Sequence, residues 1–398
     1  MIEVVYRFPA SLDPEKQAQM IAIGQTAGSW NKQHFAHRDT ALRGHLGKVV
    51  GVETRRDGSH LAQIGFPVTN TEGDIASLLT MIFGKYSLAG PCRVMDLRLP
   101  DNYGTPAKFG IAGLRRLTGV EDRPLFMGIF KPALGLTASD HADLLAQVAP
   151  AGLDLIKDDE IMVDLPEAPT LERVRACRPV IEEAQRTTGR TLLYAVNLTG
   201  RADRLLERAR ALVGEGANAL LLNVFTYGFP ILEALAADPA ISVPIFAHPA
   251  LAGALGGPTA GMADYGIDYA VLLGTLMRHS GADAVLYPAH YGSLPFAVHT
   301  ETRIRDLLRT PRGSLPRVMP VPSAGIHPGV MYRCHQDYGN DVILNAGTAI
   351  FDHPQGAAAG VQAFFEAQDR VAEGIPLRLD AVPPGPLRAA LQKWGVVA

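Results

Sequence analysis

Cysteine is scarce in this sequence: the 398 residues include only Cys92, Cys177 and Cys334, which lie far apart. Their spacing fits no metal or redox motif, and we expect three reduced thiols in a cytoplasmic protein. Long apolar runs are also lacking, since no segment approaches the ~20 residues that span a bilayer. The first residues have neither the basic nor the apolar part of a signal peptide, so we expect none.

An excess of one charge is missing as well. The 37 Lys and Arg against 40 Asp and Glu leave a net charge of −3, so neither nucleic acid nor an anionic membrane is an expected partner. The length and the 47% hydrophobic content predict a large core in two domains. We place a smaller α+β domain at residues 1–110 and a second domain at 111–398, because the segment 100–108 is polar and contains Pro and Gly.

The two domains differ in their hydrophobic pattern. The pattern of the first domain predicts strands at 4–8, 49–52, 62–66 and 94–99, and helices at 13–27 and 75–83. The second alternates short apolar runs with helical segments such as 171–187, 201–214 and 265–279. Its eight predicted strands are 125–130, 153–156, 192–196, 219–224, 243–247, 284–287, 318–321 and 342–345. This alternation predicts a (β/α)₈ barrel, since a doubly wound sheet needs a Gly-rich first crossover that is absent.

The second predicted strand ends in Lys157-Asp158-Asp159-Glu160. Alternation along a strand puts Lys157 and Asp159 on the same side. Converging carboxylates suit Mg²⁺. The lysine is either an ammonium that neutralises the acids or a neutral amine, which can take up CO₂ and become a third anionic ligand. A solvated charge cluster at a strand end is the alternative to a metal site.

Polar residues follow every predicted barrel strand, where the active sites of such barrels lie. They are Lys131, the Lys157 to Glu160 stretch, Asn197, Asn223, His248, His290, Ser323, Gly325, Gly347 and Thr348. So many polar residues at one rim favour the metal site over a solvated cluster. We expect Asn197 to contact the substrate. The loops after strands 7 and 8 match the usual phosphate site, with the Ser323 hydroxyl and the amides of Gly325, Gly347 and Thr348 as donors.

Two of these stretches resemble the RuBisCO large-chain superfamily: Gly-Ile-Phe-Lys-Pro at 128–132 and Gly-Leu-Asp-Leu-Ile-Lys-Asp-Asp-Glu at 152–160. The resemblance covers nearly the whole chain. It implies that Lys157 is a carbamate that binds Mg²⁺ with Asp159 and Glu160. It also implies that Trp30 lies on the phosphate side, and that the working unit is at least a homodimer in which the first domain covers the partner's barrel mouth.

Three departures separate this chain from the CO₂-fixing members. Those enzymes carry lysine, arginine and lysine at the positions of Ala133, Pro249 and Ser293. Losing the last lysine removes the electrostatic support for the carboxylated adduct, and losing the arginine weakens one of two phosphate sites. The resemblance therefore implies a RuBisCO-like protein that neither fixes CO₂ nor binds a bisphosphate.

Within that family the chain resembles the enolase branch of methionine salvage, through Phe-Gly-Lys at 83–85 and the segments 194–200, 223–225, 247–250 and 394–397. The resemblance implies that Lys85 removes a proton, giving an enediolate stabilised by Mg²⁺. Lys131 is predicted to be a second catalytic lysine at this site, and His248 and His290 are candidates for proton delivery. A sister branch that isomerises methylthioribulose phosphate stays open, because Thr348 and Ala349 replace glycines. A decarboxylase of a branched sugar-acid phosphate and a non-catalytic sugar-phosphate binder are further alternatives.

Overall fold

A computed structural model describes residues 1–257, 265–294 and 296–397. Strands β1 to β4 are Ile2–Phe8, Lys48–Thr54, His60–Phe66 and Arg93–Arg98. Strands β5 to β9 are Leu125–Ile129, Leu155–Lys157, Leu193–Asn197, Ala219–Asn223 and Ile245–His248. Strands β10 to β13 are Gly266–Ile267, Ala284–Pro288, Met319–Ser323 and Ile343–Asn345.

Helices connect and cover these strands. The α-helices are Pro14–Gly24, Asp39–His45, Ile75–Leu79, Gly110–Thr118, Ala138–Val148, Thr170–Thr188, Leu205–Gly214, Val224–Tyr227, Phe229–Ala237, Gly253–Gly256, Met277–His279, Val298–Arg309, Met331–Tyr338, Thr348–Phe351, Ala357–Ala372 and Pro386–Trp394. Short 3₁₀ turns are Ala36–Arg38, Val68–Asn70, Lys85–Ser87, Ala202–Arg204 and Pro328–Val330, and π-helical segments are Thr80–Gly84 and Ala270–Leu276. Within the described part of the chain, no helix combines the length and hydrophobicity needed to cross a bilayer.

The smaller sheet has the order β10-β4-β1-β3-β2 and belongs mainly to the first domain. Burial alternates residue by residue along β1, as expected for a strand with one face on the core. The helix predicted at 265–279 is wrong at its start, because Gly266–Ile267 pairs in parallel with β4. The Arg93 guanidinium, which donates to the carbonyls of Gly256 and Tyr265, holds this segment at the sheet edge.

The larger sheet is parallel, with the order β12-β11-β9-β8-β7-β6-β5-β13. Its two end strands, β12 and β13, also contact each other, so the sheet closes into a barrel. All eight predicted barrel strands are present, and the predicted fold class is confirmed: a (β/α)₈ barrel preceded by a smaller α+β domain.

The helix Gly110–Thr118 closes the amino-terminal end of the barrel, where Ile111 and Leu114 join the interior side chains. The buried Asp283 carboxylate accepts hydrogen bonds from the amides of Phe109 and Gly110. The chain is thus fastened to the barrel at the predicted domain boundary, whose exact position stays a prediction.

Strand alternation also fixes the direction of the barrel side chains. Leu155 packs in the barrel interior, whereas Ile156 packs in the outer layer between strands and helices. Lys157, two residues after Leu155, therefore points into the barrel at the carboxyl end of β6. The free thiols Cys92, Cys177 and Cys334 are all buried.

Candidate active site at the barrel mouth

A cavity of about 480 Å³ opens at the carboxyl ends of the barrel strands. Nine of the predicted site residues line it: Lys131, Lys157, Asp159, Glu160, His248, Ser323, Gly325, Gly347 and Thr348. A larger cavity, of about 950 Å³, lies beside the C-terminal segment near Tyr332 and Leu379 and contains none of them. The smaller cavity is therefore the candidate site, because it holds the ionisable groups.

Lys157 is the most enclosed cation of this cavity, with a side chain that is 1% exposed. Its Nζ donates to the backbone oxygen of Asp158 at 3.0 Å and lies 3.7 Å from Oε2 of Glu160. Burial lowers the pKa of Lys157, and the charges of Glu160 and Asp159 only partly oppose this. A larger fraction of this amine is therefore neutral than for an ordinary lysine.

The carboxylate of Asp159 faces two lysines. Lys131 Nζ donates to its Oδ2 at 2.6 Å. Burial alone would raise the pKa of Asp159, but the hydrogen bond from Lys131 and the charge of Lys157 outweigh burial and lower it. Asp159 is thus held as an anion.

His248 lies on the other side of the acidic group, with Nε2 3.5 Å from Oε2 of Glu160. Its Nδ1 accepts a hydrogen bond from the amide of Ala250 at 3.2 Å, so the neutral ring carries its proton on Nε2. Burial, aided by the charge of Lys157, lowers the pKa of His248 to about 3. The ring is neutral at physiological pH and presents an N–H group to Glu160.

Asp158 points away from the cavity, between its inward-facing neighbours. Arg173 Nη2 donates to its Oδ2 at 3.0 Å, Tyr194 Oη donates to its Oδ1 at 2.6 Å, and the amide of Asn197 donates to Oδ2 at 2.9 Å. These three donors anchor β6 to its neighbours just where Lys157 and Asp159 turn inward. The sequence pattern did not predict this anchor.

Two asparagines hold the loop that carries Glu160. Asn197 Nδ2 donates to the backbone oxygens of Glu160 at 3.0 Å and Met162 at 2.9 Å, and Asn223 Nδ2 donates to Glu160 oxygen at 2.9 Å. Asn197 does not line the cavity, so here it positions the acidic loop. Its predicted contact with substrate stays a prediction.

The loops after β12 and β13 form the opposite wall. The Ser323 hydroxyl is already engaged: it donates to Val321 oxygen and accepts from Asn345 Nδ2, both at 3.0 Å. In contrast, no described group accepts from the backbone amides of Gly325, Gly347 or Thr348. Free amides that converge on a cavity wall are suited to binding an anion.

Three further predicted residues lie outside the cavity lining. His290 Nδ1 is 2.7 Å from Oε2 of Glu301, which also accepts from the His290 amide at 2.6 Å. Lys85 is exposed in the turn Lys85–Ser87, and Trp30 is half-buried in the first domain. Their predicted roles stay predictions.

Other residues without a predicted role also line the cavity, among them His327, Asn345 and Trp394. The sequence offered one signal for His327, because like His248 it directly precedes a proline near the carboxyl end of a barrel strand.

The residues around Lys157 can be tested against a metal site. Among the described residues, no group of three His, Cys, Asp or Glu side chains could hold a metal ion. Asp159 and Glu160 supply two carboxylates, so a third anionic ligand has to come from another group. Lys157 fits this need if it is carbamylated, because its buried amine lies within 4 Å of Glu160 and its lowered pKa favours the neutral form that reacts with CO₂.

Residues 110–394 match the catalytic domain of the ribulose bisphosphate carboxylase large chain. The chain belongs to the RuBisCO large-chain family. Over 394 residues it is 59% identical to a 2,3-diketo-5-methylthiopentyl-1-phosphate enolase of Microcystis aeruginosa, covering 99% of this chain and 100% of that one.

Solved structures of the RuBisCO family agree with this assignment. A RuBisCO-like protein of Alicyclobacillus acidocaldarius is 41% identical, with a TM-score of 0.89 and coverage of 99% of both chains. An octameric RuBisCO of Pyrococcus horikoshii is 28% identical, also with a TM-score of 0.89, and covers 99% of this chain and 93% of that one. The predicted resemblance is confirmed: this chain is a RuBisCO-like enzyme.

Proposed function

We propose that this RuBisCO-like protein is a Mg²⁺-dependent enolase that acts on 2,3-diketo-5-methylthiopentyl 1-phosphate. The observation that carries the proposal is the buried Lys157 amine beside Asp159 and Glu160 in the barrel-mouth cavity. The name of the Microcystis aeruginosa relative, similar over its whole length, supports the substrate.

Carbamylation of Lys157 would complete the metal site. The neutral amine attacks the carbon of CO₂ and loses a proton, which leaves an anionic carbamate. Together with Asp159 and Glu160, it would hold Mg²⁺ through oxygen ligands. When bound, Mg²⁺ supplies positive charge that acidifies a C–H group next to a carbonyl and stabilises the enediolate.

The residues of this chain bind and orient the substrate. Free amides of Gly325, Gly347 and Thr348 receive the phosphate. The neutral His248 ring offers Nε2–H beside Glu160. Lys131, paired with Asp159 at 2.6 Å, keeps that carboxylate ionised.

The rest of the cavity wall is better suited to an uncharged end of the substrate than to a second phosphate group. Pro249, Leu286 and Leu294 line it, and apolar walls favour a methylthio group and disfavour a phosphate dianion. Ser293 is neutral and donates from its amide to Ala324 oxygen at 2.6 Å. Without a cation there, a carboxylated adduct would lack support.

A homodimer would complete the site. Lys85 and Trp30 lie outside the cavity of their own chain, so they would reach the cavity of a partner. Large exposed apolar side chains on loops at the barrel mouth support a covering partner: Leu134, Ile161, Val163, Leu251 and Leu294.

Solvent deuterium exchange tests the proposal. With Mg²⁺ and bicarbonate, the wild-type enzyme should form the enol of the diketone phosphate and exchange the acidic proton. Lys157→Ala should do neither, and the exposed Lys32→Ala should behave as wild type. Wild-type rates for Lys157→Ala, or labelled bicarbonate incorporated into an acid-stable product, would refute it.

A further inference from the structure

Three His-Pro pairs in this chain share one local hydrogen bond. In each, the histidine Nδ1 accepts from the amide two residues later, across the proline. The distances are 3.2 Å for His248 and Ala250, 3.2 Å for His327 and Gly329, and 3.1 Å for His353 and Gln355. A nitrogen that accepts a hydrogen bond carries no proton, so each neutral ring has its hydrogen on Nε2.

Two of the three Nε2 atoms have an acceptor. His353 Nε2 lies 3.0 Å from Pro386 oxygen, at the start of the last helix. His248 Nε2 lies 3.5 Å from the Glu160 carboxylate. His327 differs: its ring lines the barrel-mouth cavity, and no described group accepts from its Nε2. A fixed donor without an acceptor, on a cavity wall, indicates a ligand.

The backbone around His327 holds the ring in place. Gly329, whose amide binds Nδ1, accepts at its own oxygen from the amide of Val397 at 3.0 Å. A Cβ atom on Gly329 would collide with the Gly395 oxygen and come within 3.0 Å of Cε1 of His327. The C-terminal segment therefore fixes Gly329, and Gly329 fixes the direction of the imidazole.

The imidazole is a donor and not a proton carrier. Burial lowers the pKa of His327, so the ring stays neutral near pH 7. Its Nε2–H offers one hydrogen bond without a full charge.

The same wall has other neutral donors. The amide of Gly325, two residues before His327, has no acceptor among the described groups, and neither have those of Gly347 and Thr348. The two lysines that line the cavity, Lys131 and Lys157, lie beside Asp159 and Glu160. An anion on this wall is therefore bound by N–H groups, as is common for phosphate.

We propose that His327 is a substrate-binding residue that donates Nε2–H to a phosphoryl oxygen of the substrate. The inference rests on the proposed function for the presence of a phosphate ester. It adds a side-chain hydrogen-bond donor to those that the loop amides supply. It also gives the C-terminal segment the role of holding that side chain in place.

Inorganic phosphate is the probe, because its binding does not depend on turnover. We expect calorimetric titration to show His327→Phe binding phosphate about 10- to 100-fold more weakly than wild type. His327→Gln, which regains an N–H donor, should recover part of the affinity. His279→Gln is the control: it changes a buried imidazole whose Nδ1 lies 2.9 Å from the Tyr103 oxygen, outside the cavity lining. This variant should lower the melting temperature without changing phosphate affinity.

Two further measurements separate the outcomes. Nitrogen-15 chemical shifts of His327 should show Nε2 protonated at pH 7, and KM should rise in His327→Phe while the pH profile of kcat keeps its shape. Wild-type phosphate affinity in a folded His327→Phe, or an Nδ1–H tautomer, would overturn the proposal. If the diketone phosphate is not enolised but phosphate binding still depends on His327, only the proposed function fails.

Discussion

Asp158 and Arg173 form an ion pair at 3.0 Å in which neither side chain is exposed to solvent. Asp158 stands between the two residues that point into the cavity, Lys157 and Asp159, but faces the outer layer of the barrel. The pair therefore fixes the strand end from behind and leaves the cavity side free for chemistry.

Breaking this ion pair should make the protein less stable. Arg173→Met leaves the Asp158 carboxylate buried without its cation, and we expect the free energy of unfolding to fall by about 3–5 kcal/mol in urea titrations. Arg175→Met is the control on the same helix, because its partner Glu215 and Arg175 itself are exposed. The control should lose far less stability, because both of its charges stay in water. Equal losses in both variants would contradict this account of the anchor.

Glu233 should make stability depend on pH. It accepts from the amide of Ile75 at 3.3 Å and is 8% exposed, and burial raises its pKa to about 7. Between the unfolded pKa of about 4.3 and pH 7, the folded state binds more protons, so stability falls as pH rises.

Glu233→Gln should therefore melt at the wild-type temperature near pH 4. Above pH 7 it should be more stable than wild type, by about 1–3 kcal/mol. Calorimetry at both pH values measures this, with the exposed Glu373→Gln as a control that shows no such pH-dependent gain. A gain that is equal at both pH values would rule out titration of Glu233 as the cause.

Asn197 should act on the chemistry through the loop that carries Glu160. Asn197→Ala removes the hydrogen bonds to the backbone of Glu160 and Met162, and we expect kcat to fall about 10- to 100-fold, as for residues that orient metal ligands. Phosphate affinity should not change. Asn218→Ala, which frees Leu192 oxygen and the Tyr194 amide at the other end of β7, should lower the melting temperature without this loss of kcat. A lower melting temperature with wild-type kcat in Asn197→Ala would show that Asn197 contributes to stability only.

The sequence was sufficient for the barrel and for part of the site. Buried parallel strands are short apolar runs, so all eight could be located from hydrophobicity. Strand alternation placed Lys157 and Asp159 on one side, as found. The short strand Gly266–Ile267 was missed, because its pairing with β4 depends on a distant segment held by Arg93.

Side-chain partners were harder to predict. Strand alternation separates Asp158 from Lys157 and Asp159, but nothing in the pattern pairs it with Arg173 on the next helix. Asn197 was predicted to be a site residue because it follows a predicted strand. In the structure, its side-chain amide donates to backbone oxygens of the neighbouring loop. Such partners are fixed only when separate segments pack, so position after a strand does not give a residue its role.

A mixing experiment tests the dimer. Lys85 is exposed and lies outside its own cavity, so Lys85→Ala and Lys157→Ala should each be inactive alone. Refolded together, they should regain part of the activity, because some dimers then hold one intact site built from both chains. Full exchange of the substrate proton by Lys85→Ala alone would show that another group is the base, and Lys131 would be the next candidate.

The central claim is that Lys157 carries a carbamate when the enzyme is active. Carbon-13 NMR of protein equilibrated with labelled CO₂ and Mg²⁺ tests it most directly. The account predicts a carbamate resonance in the wild-type enzyme that is absent in Lys157→Met, and activity that is lost in CO₂-free buffer and returns with bicarbonate. Full activity without CO₂ and no carbamate resonance would contradict it.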